Sequence, residues 1–155
     1  MWATKYSTIF LITVYCVFFV ASQSTAQQQR FYAFEHFEHN KTLTSQSIVS
    51  MAQDKYGFLW FGTEDAGVFR FDGLEFKQYV HDQGNPHSIA PGRVYAILAD
   101  SHGYLWFATT GSGVSRYNPD TNTFQSFQHN PQNPSSLGND VVRSFIEDHE
   151  GNIWM

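Results

Sequence analysis

The chain has 155 residues, of which 42% are hydrophobic and 17% aromatic, so it can bury a core and does not have the composition of a disordered protein. Its formal net charge is −5 and its nine Lys and Arg residues are scattered, which argues against a nucleic-acid partner. Fifteen Phe and eight Tyr residues, with few stretches of good helix formers, indicate an all-β protein.

Residues 1–26 have the three-part layout of a secretory signal peptide. Lys5 precedes an unbroken apolar run over residues 9–20, and small residues follow at the place where a signal peptidase cleaves. The run is short for a membrane span, which needs ~20 residues. We therefore expect export with cleavage near Ala26–Gln27, and the alternative is an uncleaved N-terminal anchor. Because Cys16 is the only cysteine, cleavage would leave no thiol or disulfide chemistry.

A phrase of the form Asp-x-x-Gly-x-x-Trp recurs along the chain. Its three copies are Asp54, Gly57 and Trp60, then Asp100, Gly103 and Trp106, then Asp148, Gly151 and Trp154. The first two copies are 46 positions apart and the last two are 48 apart. The two additional residues fall in one turn, near residues 118–123, and the register is kept on both sides. This pattern indicates a repeated structural unit.

Each complete unit is predicted to form four short strands. They cover residues 48–52, 59–62, 68–71 and 75–79 in the first unit, and 94–99, 105–109, 114–117 and 123–127 in the second. Four strands joined by tight turns within one such repeat are typical of a β-propeller blade. The predicted organisation is a lead-in segment over 27–42, blades over 43–86 and 87–134, and the start of a third blade over 135–155.

The repeated phrase has a structural explanation. The Asp ends the first strand, where its carboxylate can accept backbone N–H groups of the turn, and the Gly supplies a positive φ without a Cβ clash. The Trp begins the second strand and is expected to be buried between neighbouring blades. A catalytic set of acids, or a set of Trp rings that stack on sugars, would be the functional explanation. Recurrence at the same place in every unit favours the structural roles.

The seven histidines invite a metal hypothesis, which the spacing does not favour. His81 and His129 occupy equivalent loops after the fourth strand, and His36 and His39 lie in the lead-in segment. Neither pair has a zinc spacing supported by Cys or by a carboxylate motif, so solvated loop histidines are expected and no metal. The sequence contains no cofactor motif, hydrolase elbow, phosphate loop or kinase signature, so the chain is not expected to be an enzyme.

The full repeat phrase resembles the two-component regulator propeller repeat. In the second unit the phrase is carried by Val94, Ile97, Asp100, Gly103, Leu105, Trp106, Gly113, Val114, Arg116, Tyr117, Asn118, Phe124 and Phe127, followed by Asn133, Pro134, Ser136 and Leu137. The resemblance covers residues 43–155 and departs from the pattern at Ala108, where Gly is usual. It implies the exported sensor region of hybrid histidine kinases and related bacterial receptors.

The resemblance also sets the functional expectations. Two blades and the start of a third cannot close a ring, so we expect an N-terminal fragment of a periplasmic, ligand-sensing propeller whose full-length receptor is membrane-anchored and dimeric. The output domain would be a histidine kinase or, alternatively, a diguanylate cyclase. Two further function classes stay open, namely a propeller lyase with a His and an acid near the axis and a protein-interaction scaffold.

The ligand implied is an oligosaccharide. Residues in the loops that vary between the repeats are the candidate ligand-binding residues: Glu64, Asp65, His81, Thr110, Ser112 and His129.

Overall fold

The computed structural model describes Ala33 and residues 47–155, and the predicted signal peptide, His36 and His39 lie outside these residues. All the strands below lie within residues 47–155. They are β1 (Ile48–Gln53), β2 (Leu59–Thr63), β3 (Val68–Phe71), β4 (Phe76–Tyr79), β5 (Val94–Ala99), β6 (Leu105–Thr109), β7 (Val114–Asn118), β8 (Thr123–Phe127), β9 (Ile146–Glu147) and β10 (Ile153–Trp154). The described residues contain no helix that is long and apolar enough to cross a membrane.

The strands form two antiparallel sheets of the same construction. The first sheet has the order β1-β2-β3-β4, the second has the order β5-β6-β7-β8, and β9 pairs with β10 in a hairpin. Each predicted strand boundary in these two sheets lies within one residue of the observed boundary. The all-β prediction and the division into four-stranded repeats are therefore confirmed.

The antiparallel order brings two sets of loops to the same end of each sheet. Strands β2 and β4 both run antiparallel to β3, so the loops that follow them leave the first sheet at the same end, and β6 and β8 do the same in the second sheet. We call this end the loop face. It comprises residues 64–67 and 80–93, which follow β2 and β4, and residues 110–113 and 128–145, which follow β6 and β8.

Strands β1 and β5 carry a bulge at the same position of the repeat. Ile48 pairs with Thr63 and Ser50 pairs with Gly62, so Val49 has no partner in the ladder. In β5, the pairs on either side of Tyr95 leave that residue without a partner in the same way. A bulge bends a strand locally and changes the direction of the side chain that it carries.

The main core lies between the two sheets. Trp60 is fully buried, and its ring centroid is 5.7 Å from that of Phe107 and 5.0 Å from that of Tyr117 in the second sheet. Val68 of β3 and Ile89 of the loop after β4 also contribute to this core. The expectation that the Trp of the repeat packs between neighbouring sheets is confirmed for Trp60.

The start of the third repeat packs on the face of the second sheet that is turned away from the first sheet. Val142 joins Ala108 and Val114 in a smaller apolar cluster, against which Trp106 is half-buried. Trp154 is 63% exposed, because the described part of the chain places no sheet beyond β10. This exposure agrees with the expectation that the Trp is buried by a neighbouring blade, because Trp154 has no such neighbour among the described residues.

The two additional residues of the second repeat lie in the β7–β8 turn. Asn122 in this turn has a φ of +53°, and its Oδ1 accepts hydrogen bonds from the hydroxyls of Tyr117, at 2.9 Å, and Tyr79, at 3.2 Å. Tyr79 belongs to the first sheet, so the insertion links the two sheets. Burial is the main cause that raises the pKa of Tyr117, with the neighbouring Tyr79 hydroxyl adding to the shift.

Candidate functional site

The carboxylates of the repeated Asp residues accept hydrogen bonds within the turns of their own repeats. The Oδ1 of Asp54 accepts the backbone N–H groups of Tyr56, at 2.9 Å, and Phe58, at 3.0 Å. Its Oδ2 accepts the indole N–H of Trp60 at 2.9 Å. Gly57 in this turn has a φ of +89°, as the turn prediction requires. The carboxylate is therefore a structural element of the turn.

The other two copies of the phrase repeat this geometry. The indole of Trp106 donates to Asp100 at 2.8 Å, and the indole of Trp154 donates to Asp148 at 2.7 Å. The hydrogen bond from Trp154, followed by those from the Asn152 side chain and backbone, lowers the pKa of Asp148 to about 2. Sequence reasoning missed the Asp–Trp hydrogen bond. The constant spacing of six positions between the two residues is the signal that could have indicated it.

The loop histidines close their own loops. The Nδ1 of His81 lies 2.9 Å from the backbone oxygen of Ile89, and the Nδ1 of His129 lies 2.7 Å from that of Leu137. Because a carbonyl oxygen can only accept a hydrogen bond, Nδ1 carries the proton in both rings. Both side chains are exposed, in keeping with the expectation of loop histidines.

Three of the six candidate ligand-binding residues line one pocket on the loop face. Glu64, Asp65 and His81 surround a cavity of about 290 Å³, together with the short segment 89–92. Ile89 and Ala90 in this segment are buried, so the pocket combines carboxylates and an imidazole with an apolar wall. This combination is suited to a small polar ligand that has an apolar side.

The other three candidates lie on loops of the second repeat. Thr110 is exposed, and its backbone N–H and hydroxyl both donate to the backbone oxygen of Arg93. Ser112 is half-buried in the β6–β7 loop, and the backbone N–H of His129 donates to Asp140 at 2.6 Å. All six candidates are on the loop face, but the structure does not bring these three into the lining of the pocket.

A cluster that sequence reasoning missed is connected to this pocket through Arg93. Arg93 forms an ion pair with Glu64, and its guanidinium also lies 5.1 Å from the ring centroid of Tyr95. Arg143 of the third unit lies 5.5 Å from the same ring. The signal in the sequence was the variation at the bulged position, where the repeats have Val49, Tyr95 and Arg143. Residues 47–155 contain no group of three or more side chains that could hold a metal ion.

Two adjacent four-stranded antiparallel sheets, each formed by consecutive strands and packed face to face through aromatic residues, are blades of a β-propeller-type domain. Three segments of the chain, residues 42–65, 88–111 and 136–155, match the two component regulator propeller model. These segments are two component regulator propeller repeats.

Solved structures with this arrangement are extracellular domains of bacterial signalling proteins. The extracellular domain assigned to the hybrid two-component system BT3049 of B. thetaiotaomicron is 32% identical, with a TM-score of 0.66, over 72% of this chain and 16% of that chain. The corresponding domain of BT4673 from the same organism is 27% identical, with a TM-score of 0.57, over 72% of this chain and 15% of that chain.

A sequence relative comes from a different organism. Histidine kinase P4 of Formosa agariphila is 38% identical over 72 residues, which are 46% of this chain and 5% of that kinase. The chain thus spans a small part of each protein that it matches.

Proposed function

We propose that residues 47–155 form part of the exported sensor region of a two-component receptor of the hybrid histidine kinase type. The observation that carries this proposal is the 32% identity over 72% of this chain to the extracellular domain assigned to BT3049. A sensor region of this kind binds a ligand and catalyses no reaction. The histidine kinase output, the anchoring in the inner membrane and the dimeric state of the receptor are parts of the same proposal.

The ligand would bind on the loop face. The pocket of about 290 Å³ beside Glu64, Asp65 and His81 is near the lower limit of the ~300–1,000 Å³ usual for small-molecule sites, so it would accept a group the size of a monosaccharide. The carboxylate of Asp65 can accept hydrogen bonds from sugar hydroxyls, and the buried Ile89 and Ala90 supply an apolar wall for the ring. An oligosaccharide is therefore the ligand class that we propose.

A binding experiment with variants of the full chain tests the face. The chain would be titrated with a panel of purified oligosaccharides, with binding followed by calorimetry. We expect at least one to bind, and Asp65→Asn to weaken it about tenfold, since a hydrogen bond to a charged group contributes roughly 1.5–3 kcal/mol. Asp120→Asn is the matched control, because Asp120 lies in the β7–β8 turn at the opposite end of the sheet. Equal weakening by both variants would contradict the assignment of the face.

A second experiment tests signalling in the cell. Deletion of the gene should abolish the transcriptional response of the host to the saccharide that binds, and the wild-type gene should restore it. Restoration by the Asp65→Asn gene should require a higher concentration of saccharide. An unchanged response after deletion would contradict the receptor proposal, whether or not the chain binds saccharides.

A further inference from the structure

Two guanidinium groups from different repeats lie beside one aromatic ring. Arg93 and Tyr95 belong to the start of the second repeat, and Arg143 belongs to the third. The guanidinium carbons lie 5.1 Å and 5.5 Å from the centroid of the Tyr95 ring. The negative face of an aromatic ring attracts the guanidinium of an arginine. The Tyr95 ring can therefore position both guanidinium groups, and neither needs a carboxylate partner for this.

The position of this cluster in the repeat indicates recognition rather than packing. Tyr95 is the bulged residue of β5, and Val49 is the bulged residue of β1 at the equivalent position. Arg143 is the aligned residue of the third repeat. The backbone irregularity is thus shared by the two complete sheets while its side chain is aliphatic in one and aromatic in the other. Bulges commonly direct side chains toward binding sites.

The cluster carries more positive than negative charge. Arg93 is paired with Glu64, which leaves its Nε buried and without a hydrogen-bond partner among the described residues. Arg143 is exposed, and its contact with Tyr95 is the interaction that the structure gives for its side chain among residues 47–155. A guanidinium has five N–H donors, and its planar fork matches the two oxygens of a carboxylate. The donors of the exposed Arg143 are therefore available to a ligand, whereas Arg93 has a buried Nε and an Nη2 that is paired with Glu64.

We propose that Arg93 and Arg143 bind the carboxylate of an acidic saccharide, with Glu64 as an internal competitor for Arg93. The inference rests on the proposed function, because it specifies the class of saccharide that the sensor takes. It also adds three residues, Arg93, Tyr95 and Arg143, to the proposed site, which is connected to the pocket through the ion pair of Arg93 with Glu64. Charge-assisted hydrogen bonds from arginine to carboxylate would provide the discrimination against neutral sugars.

The test compares two sugars that differ only in the carboxylate. The full chain would be titrated by calorimetry with methyl β-D-glucuronide and with methyl β-D-glucoside, and acetate would serve as a carboxylate without a sugar. We expect the glucuronide to bind at least about tenfold more tightly than the glucoside, in line with a hydrogen bond to a charged group. Binding of the glucuronide should weaken as salt is raised, because salt screens exposed charges.

Variants with opposite expected effects separate recognition from folding. Arg143→Gln should weaken glucuronide binding about tenfold, whereas Glu64→Gln should strengthen it by freeing Arg93. Arg116→Gln is the matched control, since Arg116 also stacks on aromatic rings but lies in β7, where it donates to Gln125. The control should leave the affinity unchanged, and circular dichroism would verify that each variant is folded.

The outcomes distinguish this inference from the proposed function. Equal affinity for the two glycosides, with no effect of Arg143→Gln, would overturn the inference and leave carbohydrate sensing intact. Binding of acetate that is lost in Arg143→Gln, without binding of either glycoside, would support the anion site and count against a saccharide sensor. Absence of binding by all three probes would refute the inference.

Discussion

Replacement of Trp60 by Phe should measure how much the repeat depends on packing between its blades. The three repeated indoles make the same hydrogen bond to Asp, at 2.9, 2.8 and 2.7 Å, but their surroundings differ. Trp60 is fully buried and Trp154 is 63% exposed, with Trp106 between them. Identical substitutions at the three positions therefore vary burial while the lost hydrogen bond stays constant.

The expected cost is largest at Trp60. Loss of a hydrogen bond to the carboxylate of Asp54, itself only 8% exposed, removes about 2 kcal/mol, and the smaller ring leaves a gap that removes about 1 kcal/mol more. A total of about 3 kcal/mol corresponds to a decrease in Tm of about 6–12 °C for a domain of this size. Trp106→Phe should lower the Tm by less than Trp60→Phe, and Trp154→Phe should have the smallest effect.

The assay is a thermal melt of each variant of the full chain, followed by circular dichroism in the β-sheet region. A double-mutant cycle of Trp60→Phe with Asp54→Asn would isolate the energy of the hydrogen bond, because the two residues are direct partners. Equal decreases in Tm for the three Trp variants would refute the reasoning, since burial would then have no influence. Additive effects of the two substitutions in the cycle would show that the hydrogen bond contributes nothing.

Four further predictions follow from the sequence and the structure. A fusion of residues 1–30 to a reporter that is active only outside the cytoplasm should give signal, and a cytoplasmic reporter fusion serves as the opposite control. Gly57→Val should destabilise the protein by about 1–3 kcal/mol because of the φ of +89°. Gly138→Val is the control, since an added Cβ at Gly138 meets no atom within 4 Å. Equal Tm values for the two variants would contradict the turn assignment. The pKa of Asp148 is about 2 in the fold against an ordinary value of 3.8, so the stability that this carboxylate contributes is present above pH ~4 and lost as the pH falls toward 2. The indole N–H resonance of Trp154 should shift over this pH range, and Asp148→Asn should abolish the shift. Residues 27–155 expressed alone should associate through the edge of β10 and show no kinase activity, and a monodisperse monomer with a sharp cooperative melt would count against this.

The repetition in the sequence predicted the sheets well, for a clear physical reason. Each turn depends on local chemistry, such as the carboxylate of Asp54 and the positive φ of Gly57, and local chemistry can be recognised in a single repeat. Comparison of two repeats then placed the strand boundaries to within one residue. The observed sheets are those that the spacing indicated.

Contacts between repeats were not predictable in the same way. The ion pair of Glu64 with Arg93 and the contact of Arg143 with Tyr95 join residues that are far apart along the chain. Their proximity depends on how one sheet stacks on the next, which a repeat phrase does not encode. For the same reason the sequence grouped six candidate ligand-binding residues on one face, of which the structure brings three into one pocket.

The insertion in the β7–β8 turn has a consequence for the order of the blades. Asn122 lies in the turn that is two residues longer in the second repeat, and its side chain accepts hydrogen bonds from Tyr79 of the preceding blade as well as from its own Tyr117. A copy of the first repeat in the second position would have Leu74 in place of Asn122 and would lack this acceptor for the Tyr79 hydroxyl. Units that share one consensus are therefore not interchangeable, because the length of this turn matches a blade to the one before it. Duplication and recombination of such repeats would be tolerated in the strands and restricted at this turn.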